Sequence, residues 1–174
     1  MNTKSSISFD FIEKKIREKS FAILSTVTAD GAPHSVSMMY ATSPPESKIS
    51  LYFITGRNTK KVRNIENSNK VAIVIPFPHH IIRFAPSFAI QFQGTADLVL
   101  FNDSEARKSF SSKKILYSML KKYDNPENRP EDLIFIKVKP NKKIFCFGIG
   151  LNLLKMRKNP EGGNYTIIVP SERL

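Results

Sequence analysis

The sequence predicts a mainly β protein, a closed set of short antiparallel strands with flanking helices filling the ends. Three observations predict it. Residues 88–99 alternate cleanly, with Phe88, Ile90 and Phe92 on one face and Ala89, Gln91 and Gln93 on the other. An Asp30–Gly31 pair, ready for positive φ, lies between two runs of strand composition. Short β-branched and aromatic runs bounded by Gly, Pro, Asn and Ser recur along the rest of the chain. At 174 residues the chain suits one domain with a real core, and 41% hydrophobic residues is ordinary for a soluble globular protein.

Taken in order, residues 1–8 are polar and expected to fray. Asp10 followed by Glu13 resembles a capping box ahead of a short amphipathic helix, with Ile12 and Ile16 on its apolar face and Glu13, Lys14 and Arg17 on the polar one. Strands are expected over 21–28 and 33–42, with the hairpin turn Ala29–Ala32 between them. A turn at 43–46 leads to a strand over 49–55, which Gly56 ends. A helix over 60–67 follows, carrying Val62, Ile65 and Glu66 at helical spacing, and then a strand over 71–75. Residues 76–86 read as a loop. In the alternating strand, Gly94 marks a bulge or a close backbone approach. Asn102 or Asp103 caps one helix over 104–123. Strands over 133–139 and 143–148 flank a Pro140–Asn141 turn, and a last strand covers 165–169.

The formal net charge of +12 attracts nucleic acid, anionic membranes and phosphorylated small molecules alike. No recognition-helix pattern, zinc-finger spacing or aromatic RNA-binding signature is present, so nucleic acid is not the expected partner. No apolar run is long enough to span a bilayer, and the N-terminus lacks a signal-peptide core. The single Cys146 rules out an internal disulfide. These features point to the cytoplasm. His79 and His80 are adjacent, project to different sides and make a poor metal site. Gly148 and Gly150 are too closely spaced for a dinucleotide fingerprint.

The stretch from Ile49 to Ile75 reads as strand, basic turn, helix start, strand. Free N–H groups and the positive end of a helix dipole mark its centre as a candidate anion site. Thr59 adds a hydroxyl donor, and Arg57, Lys60 and Lys61 add full charges. Cations there oppose the dipole by about 0.3–1 kcal/mol each, a cost a bound anion would offset. The alternative is a solvated basic helix face in a lysine-rich chain.

This segment resembles the phosphate-binding segment of the pyridoxamine 5′-phosphate oxidase-like, FMN-binding split-barrel family. In that family a strand ending in Thr, a short turn and Ser-Arg-Lys open a helix that closes before an apolar strand. Here Thr55 ends the strand, and Thr59, Lys60 and Lys61 stand at the Ser-Arg-Lys positions. The order helix, hairpin with Asp-Gly turn, strand, basic turn and helix, strand is also the family's. The resemblance covers about residues 9–147. It implies a six-stranded antiparallel split β-barrel over 9–148, with 149–174 as a C-terminal extension packed on it, and a homodimer. It implies FMN as cofactor, with a deazaflavin as the alternative; some relatives bind heme. Thr59, Lys60 and Lys61 would hold the phosphate, Thr55 would join the cofactor site as the family's strand-ending threonine, and Val36, Ser37 and Met38 would lie along the ring. The family places a partner-chain glutamine near the ring. Alignment on Gly94 puts Ala89 there, with Gln91 on the same face as a substitute. Lys60 in place of Arg removes a bidentate fork. Pyridoxal-forming members carry a C-terminal Arg-x-His motif that residues 164–174 lack, and Ala41 replaces a strand-end basic residue. The implied activity is therefore flavin-dependent oxidoreduction of a small molecule other than a B6 vitamer, the flavin carrying the chemistry. The alternative is a non-enzymatic basic barrel that binds nucleic acid or stores flavin.

Overall fold

The computed structural model describes residues 7–78, 87–125, 127, 132–151 and 161–174. His79, His80 and Arg83, and the basic stretch before residue 161, lie outside them. Helices are α1 (Phe9–Glu18), α2 (Lys60–Asn67), α3 (Ser104–Ser111) and α4 (Lys114–Asp124). Strands are β1 (Phe21–Val27), β2 (Pro33–Met39), β3 (Ala41–Thr42), β4 (Leu51–Gly56), β5 (Lys70–Phe77), β6 (Phe88–Leu100), β7 (Leu133–Phe147) and β8 (Asn164–Ile168). They form one antiparallel sheet in the order β2-β1-β5-β6-β7-β4-β3, with β8 on β7.

The sheet curls into a split barrel because one run of chain belongs to both of its ends. Residues 33–42, expected as a single strand, break at Tyr40. The β2 part pairs with β1 (Leu24 opposite Val36) and the β3 part pairs with β4 (Ala41 opposite Tyr52). β2 and β4, far apart in sheet order, thereby come within 8 Å of each other without a ladder between them. Tyr40 is fully buried at this switch and donates its hydroxyl to Ile16 O at 2.6 Å. The inward residues form one core, including Leu24, Phe53, Ile73, Ile90, Phe92, Ile136 and Ile144, under α1 and α2. Ala106 and Phe110 of α3 and Leu116 and Leu120 of α4 build a second cluster on Tyr52 and Phe135.

Several expectations are corrected. Ser8, not the Asp10 box, caps α1: its hydroxyl accepts from Phe11 N at 3.3 Å. Glu13 is not on a solvated face. It is buried, held by Arg17 and by Arg173 from the C-terminal turn. The helix expected over 104–123 is two helices. Asp103 caps α3 as anticipated, but Ser111 and Ser112 donate back to Arg107 O and Ser109 O, and Lys113 turns extended. Such hydroxyl back-bonding competes with helix continuation. The two strands expected around Pro140 are one, β7. Its register against β6 slips between Phe92 and Gly94, so the ladder absorbs the proline at a bulge. Gly94 is the close approach anticipated there: a Cβ would lie 2.1 Å from Lys139 O.

The described part of the extension packs on the barrel. Val169 is buried and donates its amide to Lys142 O, Ile49 N donates to Arg173 O, and Ile167 and Leu174 lie against the core. Among the described residues no helix is long and apolar enough to cross a membrane, and no group of His, Cys, Asp and Glu side chains could hold a metal ion.

Candidate functional site

The candidate site lies at the seam where β2 faces β4 without pairing. α2 starts as expected at Lys60, with Thr59 at its N-cap position. Val62 and Ile65 anchor its inner face, and Asn64, also buried, donates to Thr26 Oγ1 of β1 at 2.9 Å. Thr26 in turn donates to His34 O of β2 at 3.2 Å. This chain of two hydrogen bonds fixes α2 relative to β1 and β2.

The turn before α2 is held through its backbone groups by one main-chain and one side-chain partner. Arg57 N donates to Asp132 O at 2.8 Å and Arg63 donates to Asn58 O at 3.0 Å. Asp132 takes φ 58, a left-handed conformation that Asp tolerates better than most residues. The Thr59 side chain makes no capping bond to the helix; its hydroxyl lies 3.5 Å from that of Thr55, at the end of β4. No acidic residue occupies the first turn. The amides that begin a helix have no carbonyl before them, so they add donors at the same point.

Lys60 is exposed, whereas Lys61 is half-buried. Burial pushes the Lys61 ammonium below its usual range. A partly dehydrated ammonium gains more from a nearby anion than a solvated one does. Asp30, at the β1–β2 hairpin tip, feels the Lys60 charge, but its carboxyl is engaged first by the Thr28 hydroxyl, the main cause of its lowered pKa.

Val36 and Met38 turn inward against the core and Ser37 is exposed on the outer face. β2 is an edge strand, so alternate backbone N–H and C=O groups point away from β1 with no strand to meet them. The seam thus presents backbone donors and acceptors along β2, and the cations and hydroxyls of Thr55, Thr59, Lys60 and Lys61 around the α2 start.

Gln91 is not brought to this cradle. It is exposed on β6, in one transverse row with Ser37, Ile23, Val74 and Phe145 on the outer face. Three strand spacings separate Gln91 from Ser37, about 14 Å. Ala89 stands two residues along on the same face, opposite Phe147. Asn64, Thr26 and the β2 edge are the parts of the site that sequence reading missed. A polar residue on the inner side of an otherwise apolar helix face was the only signal for Asn64.

Curled antiparallel sheet, flanking helices and seam cradle define a split-barrel protein. The pyridoxamine 5′-phosphate oxidase family profile matches residues 9–145, and the chain belongs to that family. Among solved structures it resembles HutZ, the heme storage protein from Vibrio cholerae, at 17% identity and a TM-score of 0.63, over 82% of this chain and 96% of that one. It also resembles a heme binding protein from Mycobacterium smegmatis at 13% identity and a TM-score of 0.61, over 86% of this chain and 53% of that one. General Stress Protein 26 from Bacillus anthracis is 25% identical, with a TM-score of 0.54, over 76% of this chain and 88% of that one. A comparison with curated proteins finds no match.

Proposed function

We propose that the chain is an FMN-binding homodimeric flavoprotein of the cytoplasm that passes hydride or electrons between small molecules, and that it is not a pyridoxine-phosphate oxidase. The α2 start carries this reading. Two hydroxyls and two lysines meet the first turn of a helix that has no acid there, and one of the lysines is half-buried. Residues Thr55, Thr59, Lys60 and Lys61 would hold the phosphate through charge-assisted bonds worth about 1.5–3 kcal/mol each. Val36, Ser37 and Met38 would bond the ring edge through the free side of β2. When bound, flavin supplies the two-electron chemistry; the protein binds it, orients it and limits water.

The dimer rests on the outer face. Phe21, Phe145 and Ile168 are exposed there around Gln91 and Gln93, and the row from Ser37 to Phe145 carries no charge in a chain with 24% charged residues. A twofold partner would cover these side chains and bring Gln91 to the partner's cradle.

The test titrates FMN into the wild type and K60A/K61A, following flavin fluorescence. The expected result is at least tenfold weaker binding with unchanged thermal unfolding without flavin. Equal affinities would remove the cradle from the account. Light scattering with and without FMN tests the dimer, and a monomer holding flavin at full affinity would sink it. A second reading, storage without turnover, is favoured by the fold's likeness to heme-storing HutZ. Heme propionates are anions the same lysines would take. Parallel titration with a deazaflavin and with heme separates the cases by absorption spectrum.

A further inference from the structure

A second basic surface lies on α4, whose inner side packs on the cluster around Tyr52 and Phe135. Its buried side is Leu116 and Leu120, with Met119 partly buried. At helical spacing, the opposite arc runs Tyr117, Lys121, Lys114, Ser118, Lys122, Ile115, all exposed. Ile115 is 63% and Tyr117 41% exposed. Lys121 lies over the Tyr117 ring at 4.9 Å. Asp124, the one acid on the helix, is held by Arg107 from α3 at 2.9 Å. Among the described residues no carboxylate pairs with Lys114, Lys121 or Lys122. The helix also begins on Lys113 and Lys114, with no side-chain cap and no acid in its first turn. The fold thus sets three lysines on the exposed arc of one helix, Lys114 and Lys121 nearly in line along it, and leaves their charge uncompensated.

We propose that this face of α4 docks the phosphate backbone of nucleic acid without reading its sequence. Lys114 and Lys121 are separated along the axis by about 10 Å, the span of about three phosphates of one strand. The lysines occupy the centre of the arc and the apolar side chains its margins. A membrane-inserting helix has the reverse order, apolar centre and cationic margins. Tyr117 and Ile115 then pack at the sides of the strand. Lysines on phosphates carry no sequence information, so affinity is carried by counterion release.

The test measures binding of a fluorescein-labelled 20-base-pair duplex by anisotropy across NaCl concentrations. Two triple variants are compared, K114Q/K121Q/K122Q on α4 and K14Q/K48Q/K142Q on exposed positions elsewhere; both remove the same charge. Three phosphate contacts contribute about −2.7 to the slope of log K against log salt, about a 40-fold loss between 50 and 200 mM. The α4 variant is expected to lose that part of the slope, the control to keep it, and a scrambled duplex to bind as well as the first. Thermal unfolding of both variants in the absence of DNA is expected to match the wild type. Equal losses in the two variants, no duplex binding at 50 mM salt, or an α4-dependent affinity for phosphatidylserine vesicles without one for duplex would each overturn the proposal.

Discussion

Replacing Thr26 by Val tests whether the seam site is held by the link between α2 and the barrel. Valine keeps the side-chain volume and removes the hydroxyl. Thr26 and Asn64 are 2% and 5% exposed, so water cannot replace what is lost. The Asn64 amide loses the acceptor it meets at 2.9 Å, and His34 O loses the donor at 3.2 Å. A buried polar group left unpaired costs about 1–3 kcal/mol and a lost hydrogen bond about 1 kcal/mol. The substitution should therefore destabilise by about 2–4 kcal/mol, or about 4–16 °C in Tm for a domain of this size. Asn64→Leu alone should cost less, because Thr26 keeps its own donation to His34 O. Removing both partners leaves no orphaned amide, so the T26V/N64L double variant should be more stable than the sum of the two losses implies, by about 1 kcal/mol or more. Urea titration of the four proteins reads each term. A T26V protein within about 0.5 kcal/mol of the wild type, or strict additivity, would refute this reasoning.

Gly94→Ala should destabilise by about 2–4 kcal/mol, since its Cβ would strike the Lys139 carbonyl, a backbone atom that cannot swing aside; urea midpoints check it, and a wild-type midpoint would show that the bulge yields. Arg173→Ala should cost about 2 kcal/mol by calorimetry, because one side chain serves both Glu13 and Pro45 O, the latter at 2.8 Å. Burial pushes the Cys146 thiol up to about 11. It stays protonated in the native state while the unfolded chain ionises near pH 9, so its contribution is full below that pH and is lost as pH rises towards 11. Wild type should therefore lose stability faster than C146A between pH 9 and 11, by up to about 3 kcal/mol; parallel slopes would exclude the effect.

What could be read locally was read well. α2 covers residues 60–67 as the spacing of Val62, Ile65 and Glu66 predicted, β6 alternates as its Phe, Ile and Gln residues require, and Gly94 marks a close approach. The misreadings share a cause. Pro140 looked like a strand end because nothing nearby shows that β6 slips register opposite it. Residues 33–42 looked like one strand because the sequence of a strand does not name its neighbour, and here the neighbour changes at Tyr40. Glu13 looked solvated because the arginine that joins Arg17 in covering it lies 160 residues away. In the site, Thr55, Thr59, Lys60 and Lys61 were legible as one local turn. The β2 edge was not, since being an edge is a property of the whole sheet. Gln91 was read on the face opposite Ile90 and Phe92, where the structure has it, and that face points away from the cradle of its own chain.

The change of partner at Tyr40 bears on how a ligand could get in. Everywhere else, separating two barrel strands breaks a ladder of amide bonds. Between the described residues of β2 and β4 there is no ladder, and the chain crosses once, through Tyr40. Widening there resembles flexing a hinge rather than opening a zip, and it leaves the β5–β6 and β6–β7 ladders intact. Deuterium uptake should divide accordingly, with outward amides of β2 exchanging through small local openings and those of β5 and β6 waiting for the whole molecule to unfold. The stiffness of that hinge rests with α1, whose Ile16 carbonyl holds the Tyr40 hydroxyl. Cutting this tether with Tyr40→Phe should hasten both β2 exchange and the entry of FMN, leaving the slow core unchanged.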